Sequence, residues 1–342
     1  MKVFINSYLK QLAIFCFLVL FVCTCEKSEP IKQIVIETGS IIDTSSTTVT
    51  VTGNIIDMGE GITTYGHMAA TDNAFTVNVK RSSLSNPSNT GIYTSTITDL
   101  VPNTFYYVRA YATNSQETAY GSQVTFTTLL DAPVTGTFTD NRDGQEYNWV
   151  KIGNQVWMAE NLAYLPSVNP PSSGSFTSLY YYVYGYEGTS VSTAKATTNY
   201  TTYGVLYNWP AAINGAASSS ANPSGVQGVC PSGWHLPSDA EWSELTDYLG
   251  GEGVAGGKLK EVGYDHWYSP NEGATNESSF TALPEGFRSD GMFNYIGYDG
   301  SWWSATEGGT GAWYRDLYYD DAGVSRSNDY KEDGFSVRCV RD

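Results

Sequence analysis

Trp234-His235-Leu236-Pro237-Ser238-Asp239-Ala240-Glu241-Trp242 is the stretch whose reading decides how the second half of this chain folds. Ser238 and Glu241 are spaced as a capping box, in which each side chain satisfies an orphan backbone donor of a helix start. Trp242, Leu245 and Leu249 then fall on one helical face, and Gly250-Gly251 ends the run. The spacing predicts a helix of about eleven residues packed on a sheet.

Upstream of it the signals are β. Thr137 to Tyr147 reads as a hairpin turning at Asp143-Gly144, and Trp149 to Trp157 as a second one around Gly153-Asn154. The Asp140–Gly144 turn does not match a calcium loop, because Arg142 stands where an EF-hand needs a ligand. Residues 166–224 are rich in Ser, Thr, Asn, Gly and Tyr and read as a long variable loop. Within it Tyr180-Tyr181-Tyr182-Val183-Tyr184 is either a strand or an exposed aromatic patch, since periodicity does not separate the two. All nine Trp lie between Trp149 and Trp313.

Residues 34–130 have a different texture. Thr47 to Thr52 is β-branched throughout, Phe105 to Tyr111 and Gln123 to Thr128 are further strands, and turn clusters separate them. Leu100-Val101-Pro102-Asn103-Thr104-Phe105-Tyr106 resembles the start of strand F in fibronectin type III domains, where the Tyr hydroxyl bonds back to upstream backbone. That resemblance implies an all-β, immunoglobulin-like sandwich acting as a spacer or weak interaction module. The segment departs from the family in having no Trp.

Lys2 and Lys10 precede an uncharged apolar run from Gln11 to Thr24, shorter than the ~20 residues of a spanning helix. Residues 1–24 are therefore expected to be an export signal. Cys25 with its polar tail Glu26-Lys27-Ser28-Glu29 resembles the acylated cysteine of bacterial lipoproteins, although Thr24 stands where Gly, Ala or Ser is usual. Cys23 is the alternative acylation position, and residues 25–33 form the linker. The resemblance implies an outer-membrane lipoprotein, held by lipid and facing the cell exterior. Of five Cys only Cys230 and Cys339 lie outside the export segment, and two thiols in an exported chain most simply pair. The net charge of −17 is uneven: residues 131–342 hold 11 Lys/Arg against 26 Asp/Glu, a net of −15. Such a surface repels phosphate backbones, which excludes nucleic acid as a partner.

Several motifs follow one another in residues 135–342. They include Trp157-Met158-Ala159-Glu160-Asn161-Leu162, Tyr207-Asn208-Trp209, Cys230-Pro231-Ser232-Gly233-Trp234-His235-Leu236-Pro237 and Gly257-Lys258-Leu259-Lys260. Thr275-Asn276-Glu277-Ser278-Ser279-Phe280, Trp303-Ser304-Ala305-Thr306 and Gly334-Phe335-Ser336-Val337-Arg338-Cys339-Val340-Arg341 complete the series. In this order they resemble the Fibrobacter succinogenes major paralogous domain family, whose members are exported bacterial surface proteins. More distantly, the capped helix and the closing motif resemble C-type lectin-like and formylglycine-generating-enzyme folds, which implies an α+β domain with long loops.

Chemistry is sparse. His235 sits at a tight helix start and His266 has no metal-ligand partner at usable spacing. No Gly-x-Ser-x-Gly elbow or phosphate loop occurs, and the two remaining Cys match a structural pair. The expected function is accordingly non-enzymatic binding or adhesion towards a glycan or protein ligand. An enzyme on the formylglycine-generating-like fold and a self-assembling surface component are the alternatives. The candidate binding platform is Trp302, Trp303 and Glu307 with Trp313, Tyr314, Arg315, Asp316 and Tyr318. Strand alternation puts Trp313, Arg315 and Leu317 on one face and Tyr314, Asp316 and Tyr318 on the other. No cofactor is expected, with Ca²⁺ held by Asp320, Asp321, Asn328 and Asp329 as the one exception considered.

Overall fold

The structure, a computed structural model, describes residues 32–342. The export signal and Cys25 lie outside the described residues. Among those described, no helix is long and apolar enough to cross a membrane.

Nine strands build the first unit: β1 (Ile34–Thr44), β2 (Val49–Met58), β3 (Thr64–Ala70), β4 (Lys80–Arg81), β5 (Leu84–Ser85), β6 (Gly91–Ile97), β7 (Phe105–Thr113), β8 (Thr118–Tyr120) and β9 (Val124–Thr127). They form two antiparallel sheets. One has the order β1-β2-β6, and the other runs β4-β3-β7-β8, with β5 added to β3 and β9 to β7. The β-branched run of β2 buries Val49, Val51, Gly53 and Ile55 and turns its threonines outward, as a half-buried strand must. Tyr106 is fully buried, and the Val101 amide donates to its hydroxyl at 3.0 Å, which is the predicted corner bond. No Trp fills this core. Instead His67 of β3 is buried between the sheets, with Nδ1 2.7 Å from Ser95 Oγ and Nε2 3.0 Å from Thr52 O.

The second unit is mostly β with short helices. Its strands are β10 (Val134–Thr139), β11 (Glu146–Ile152), β12 (Gln155–Met158), β13 (Tyr181–Tyr182), β14 (Leu206–Asn208), β15 (Trp234–His235), β16 (Phe287–Ser289), β17 (Met292–Asn294), β18 (Asp299–Gly308), β19 (Gly311–Tyr318), β20 (Ser325–Tyr330), β21 (Gly334–Phe335) and β22 (Val340–Arg341). Three sheets result, ordered β10-β11-β12-β22-β15, β13-β14-β21-β16-β17 and β18-β19-β20. Both predicted hairpins are present, β10–β11 and β11–β12. The long loop is more ordered than its composition suggests. It contains α1 (Val191–Lys195), α2 (Thr198–Tyr203) and α3 (Trp209–Ile213), and Tyr181, Tyr182 and Val183 are buried, so the tyrosine run is core.

The helix read from the sequence is α4 (Asp239–Tyr248), opened by the complete Ser238/Glu241 capping box, with Trp242 and Leu245 buried beneath it. A fifth helix, α5 (Glu252–Leu259), follows. Cys230 and Cys339 are bonded, 109 positions apart. Two large clusters fill the interior, one around Trp303, Trp209 and Phe335 and the other around Trp157, Trp242, Trp267 and Trp302. Seven of the nine Trp are thus core residues, leaving Trp149 and Trp313 half-buried.

Candidate functional site

The alternation expected for β19 is observed, but the platform is not. Trp302 lies opposite Arg315 and Trp303 opposite Tyr314 in the β18–β19 ladder, and both faces of β18 are covered, one by α4 and the other by β16 and β21. Trp302, Trp303, Arg315 and Asp316 are consequently buried and cannot meet a ligand. On the α4 face, Arg315 donates to Asp239 Oδ1 at 2.6 Å, and Arg326 grips the same carboxylate with two nitrogens. Burial alone would raise the Asp239 pKa; the bonds from Arg326 and Arg315 overcome it and hold the carboxyl below its ordinary value. Arg326 also stacks 3.5 Å from the Trp313 ring centroid. These residues tether the start of α4.

On the opposite face Trp303 donates its indole N–H to Tyr207 O at 2.7 Å, and Asp316 accepts from Ser301 Oγ at 3.0 Å. Tyr314 and Tyr318 are half-buried there, and exposed Glu307 is engaged by Lys331 at 2.5 Å. What remains accessible of the predicted set is therefore split between two faces.

The calcium reading is also corrected. Asn328 and Asp329 pair with Trp313 and Ala312, whereas Asp320 and Asp321 lie beyond the far end of β19. At roughly 3.3 Å per residue the two pairs stand some 20 Å apart. A cation already serves the turn: buried Lys260 donates to Tyr318 O at 2.9 Å and to Asp321 O at 2.8 Å. Among the described residues no group of three His, Cys, Asp or Glu side chains is placed to hold a metal. His235 is likewise structural, with Nε2 2.6 Å from Glu241 and Nδ1 2.7 Å from Asp342.

Most of the exposed aromatic surface is tyrosine. Tyr264, Tyr268, Tyr295 and Tyr298 are 65%, 52%, 58% and 41% exposed. Tyr268 and Tyr298 lie 4.5 Å apart, Tyr295 and Tyr298 6.5 Å, and Tyr295 stacks on Phe287 at 5.5 Å. The platform is locally enforced. Trp267 turns inward and bonds Ala282 O at 2.9 Å, so its neighbour Tyr268 turns out. The Tyr268 amide donates to Gly297 O at 2.9 Å. Gly297 has φ +85°, and a Cβ there would stand 2.6 Å from the Tyr268 ring, so only glycine brings the two loops this close.

Beside the platform opens a cleft of about 280 Å³, lined among others by Glu160, Asn161, Thr201, Glu261, Thr281 and Arg338. His266 joins the two regions. Its Nδ1 is 2.7 Å from Glu261 Oε2 and its ring lies edge-on to Tyr203. Under the cleft, Asn161 Oδ1 accepts from Trp302 Nε1 at 2.8 Å and from Arg338 Nε at 2.9 Å, while its amide donates to Tyr203 O and Ser336 Oγ. Arg338 donates further to the carbonyls of Phe280 and Thr281. Glu285 is buried nearby with the Ser301 amide on Oε1 at 3.1 Å. Burial pushes Glu285 up and Arg338 down. Asn161 and Arg338 both come from quoted motifs, but the bond between them, across 177 positions, is visible only in the fold.

The titrating groups give the two units opposite pH responses. Burial lowers His67 from 6.5 to about 4, so the unfolded chain binds its proton more readily in that window and the sandwich loses stability as pH falls through it. In the second unit burial, then Asp299, pushes Asp316 up to about 7, and burial, then Asp320, pushes Asp299 up to about 6. There the folded state holds the proton more tightly, and stability is lost as pH rises from the ordinary carboxyl range through those values. Because every Trp is in the second unit, tryptophan fluorescence follows it alone. Its melting temperature should be higher at pH 5.5 than at pH 7.5, and a lower one would contradict these assignments.

Residues 150–341 match the family model described as Fibrobacter succinogenes major domain. No curated protein matches the chain. Among solved structures, the sensor domain of the anti-sigma factor RsgI4 in Pseudobacteroides cellulosolvens is 21% identical, covering 29% of this chain and 76% of that one, with a TM-score of 0.24. A fibronectin type III domain from the human KIAA0970 protein is 20% identical over 29% of this chain and 76% of its own, with a TM-score of 0.21.

Proposed function

Because this chain belongs to the Fibrobacter succinogenes major domain family, we propose that it is an exported, non-enzymatic binding protein of the bacterial surface. In this reading Cys25 is acylated and anchored in the outer membrane, and residues 34–130 are a fibronectin type III-like spacer. Residues 135–342 are a C-type lectin-like domain turned to the exterior, with a glycan or protein ligand and no nucleic acid. One observation carries the proposal: three exposed tyrosines, Tyr268, Tyr298 and Tyr295, lie ring to ring while seven of the nine tryptophans are core residues. Aromatic rings with a polar handle suit a wet interface, since the ring supplies apolar area and the hydroxyl a hydrogen bond. The acidic surface favours neutral or basic partners over anionic ones.

The test is binding of the full chain to cello-, xylo-, manno- and chito-hexasaccharides and to a panel of surface proteins. Tyr268→Ala and Tyr298→Ala should each weaken the ligand found at least tenfold, about 1.4 kcal/mol, with the melting temperature held. Variants that bind as tightly as the parent, or folded protein that binds nothing, would contradict the reading.

A further inference from the structure

The cleft beside the tyrosines has properties of its own. Its size falls just below the usual range for drug-sized ligands, which suits one small ring rather than an extended apolar molecule. Its lining is mainly hydrogen-bonding, with Glu160, Thr201, Glu261 and Thr281 mixing acceptors and donors. An anion would face two carboxylates. The one cation, Arg338, is buried with its donors turned to Asn161 and two carbonyls. A bare cation fares little better, because Glu261 is already engaged by His266 and Glu160 accepts from Asn148 through both oxygens.

Thr281 points the same way. It has φ +55°, a region a β-branched residue rarely occupies. Asn276 Oδ1 accepts its amide at 2.9 Å and Asn276 Nδ2 donates to its hydroxyl at 3.0 Å, while Arg338 holds its carbonyl. One Oγ1 lone pair accepts from Asn276, and the hydroxyl hydrogen is left to donate. Packing needs none of this, since glycine would adopt the same backbone at less cost. A strained residue kept by its neighbours is the kind found in ligand sites.

We propose that this cleft is a subsite for a single neutral sugar ring, the terminal unit of a glycan whose next rings lie over Tyr268 and Tyr298. The proposal rests on the binding function above and adds the ligand class and the residues that read it. Glu261 accepts from a ring hydroxyl through the lone pairs that His266 leaves open, and Thr281 donates to one.

The experiment has two arms, both on the full chain. In the first, affinity for the hexasaccharide found is measured by calorimetry for Thr281→Gly, Glu261→Gln and Tyr268→Ala. Thr281→Gly should raise the melting temperature by roughly 2–4 °C yet bind at least fivefold more weakly, a combination that a purely structural role does not give. Glu261→Gln should lose a similar factor. If Tyr268→Ala loses binding while both cleft variants bind like the parent, the subsite is overturned and the platform stands. In the second arm, glucose, xylose, mannose, N-acetylglucosamine and, as a non-sugar probe, N-acetyl-lysine amide are added separately at 50 mM, and the amide resonances of Thr201, Glu261 and Thr281 are followed. Shifts at these three support the subsite even if no hexasaccharide binds. Shifts caused only by N-acetyl-lysine amide, or by none of the probes, overturn it.

Discussion

Arg338→Ala should cost the second domain about 3–5 kcal/mol, the range for breaking a buried charged network from one side. The side chain is fully buried, and its removal strands Asn161 Oδ1 and the carbonyls of Phe280 and Thr281. Each orphaned group then carries its own desolvation penalty. Glu285 would also lose the positive charge that offsets its burial. Arg338→Lys should rescue little, because an ammonium cannot reproduce a planar fork aimed at three acceptors. Arg326→Ala makes the control. Its guanidinium bonds Asp239 as well, but it is exposed, and the expected loss is below about 1 kcal/mol. Urea melts followed by tryptophan fluorescence measure all three. An Arg338→Ala variant as stable as Arg326→Ala would remove the network from the account.

Opening the Cys230–Cys339 bond should be nearly as costly. The chain-entropy model gives roughly 4.7 kcal/mol for a loop near 100 residues, with 2–5 kcal/mol usual for native bonds. Local geometry argues for the upper part of that range. β22 is an inner strand of its sheet, yet it meets β12 at the single pair Trp157–Val340 and β15 at two pairs. So short a ladder gives the closing strand little hydrogen bonding of its own, and the covalent link to the segment before β15 keeps it seated. A Cys230→Ser/Cys339→Ser double variant should show the tryptophan-reported melt fall by roughly 10 °C, with the sandwich transition unmoved. An unchanged tryptophan melt would mean that the strand is held by packing alone.

Local signals carried the sequence reading a long way. The Ser238/Glu241 box, the faces of α4, both hairpins and the Tyr106 corner are each encoded within a dozen residues, and each is found as read. What failed depends on distant partners. Alternation sorted β19 into two faces correctly, but it cannot say whether either face is wet, and β18 and β19 are covered on both. The four acidic and amide residues proposed for calcium are close in sequence and far apart in space, because the β19–β20 register separates them. The tyrosine platform was missed for a related reason. With 26 Tyr in the chain, composition does not mark which of them gather on one exposed patch; only the inward turn of Trp267 beside Tyr268 hints at it.

Hydrogen–deuterium exchange of the full chain, with and without the oligosaccharide or protein bound most tightly, tests the central claim most directly. The account predicts protection concentrated in residues 264–268 and 295–298, with the β19–β20 hairpin unaffected. Protection centred on residues 311–330, with both tyrosine loops exchanging as in the free protein, would contradict it.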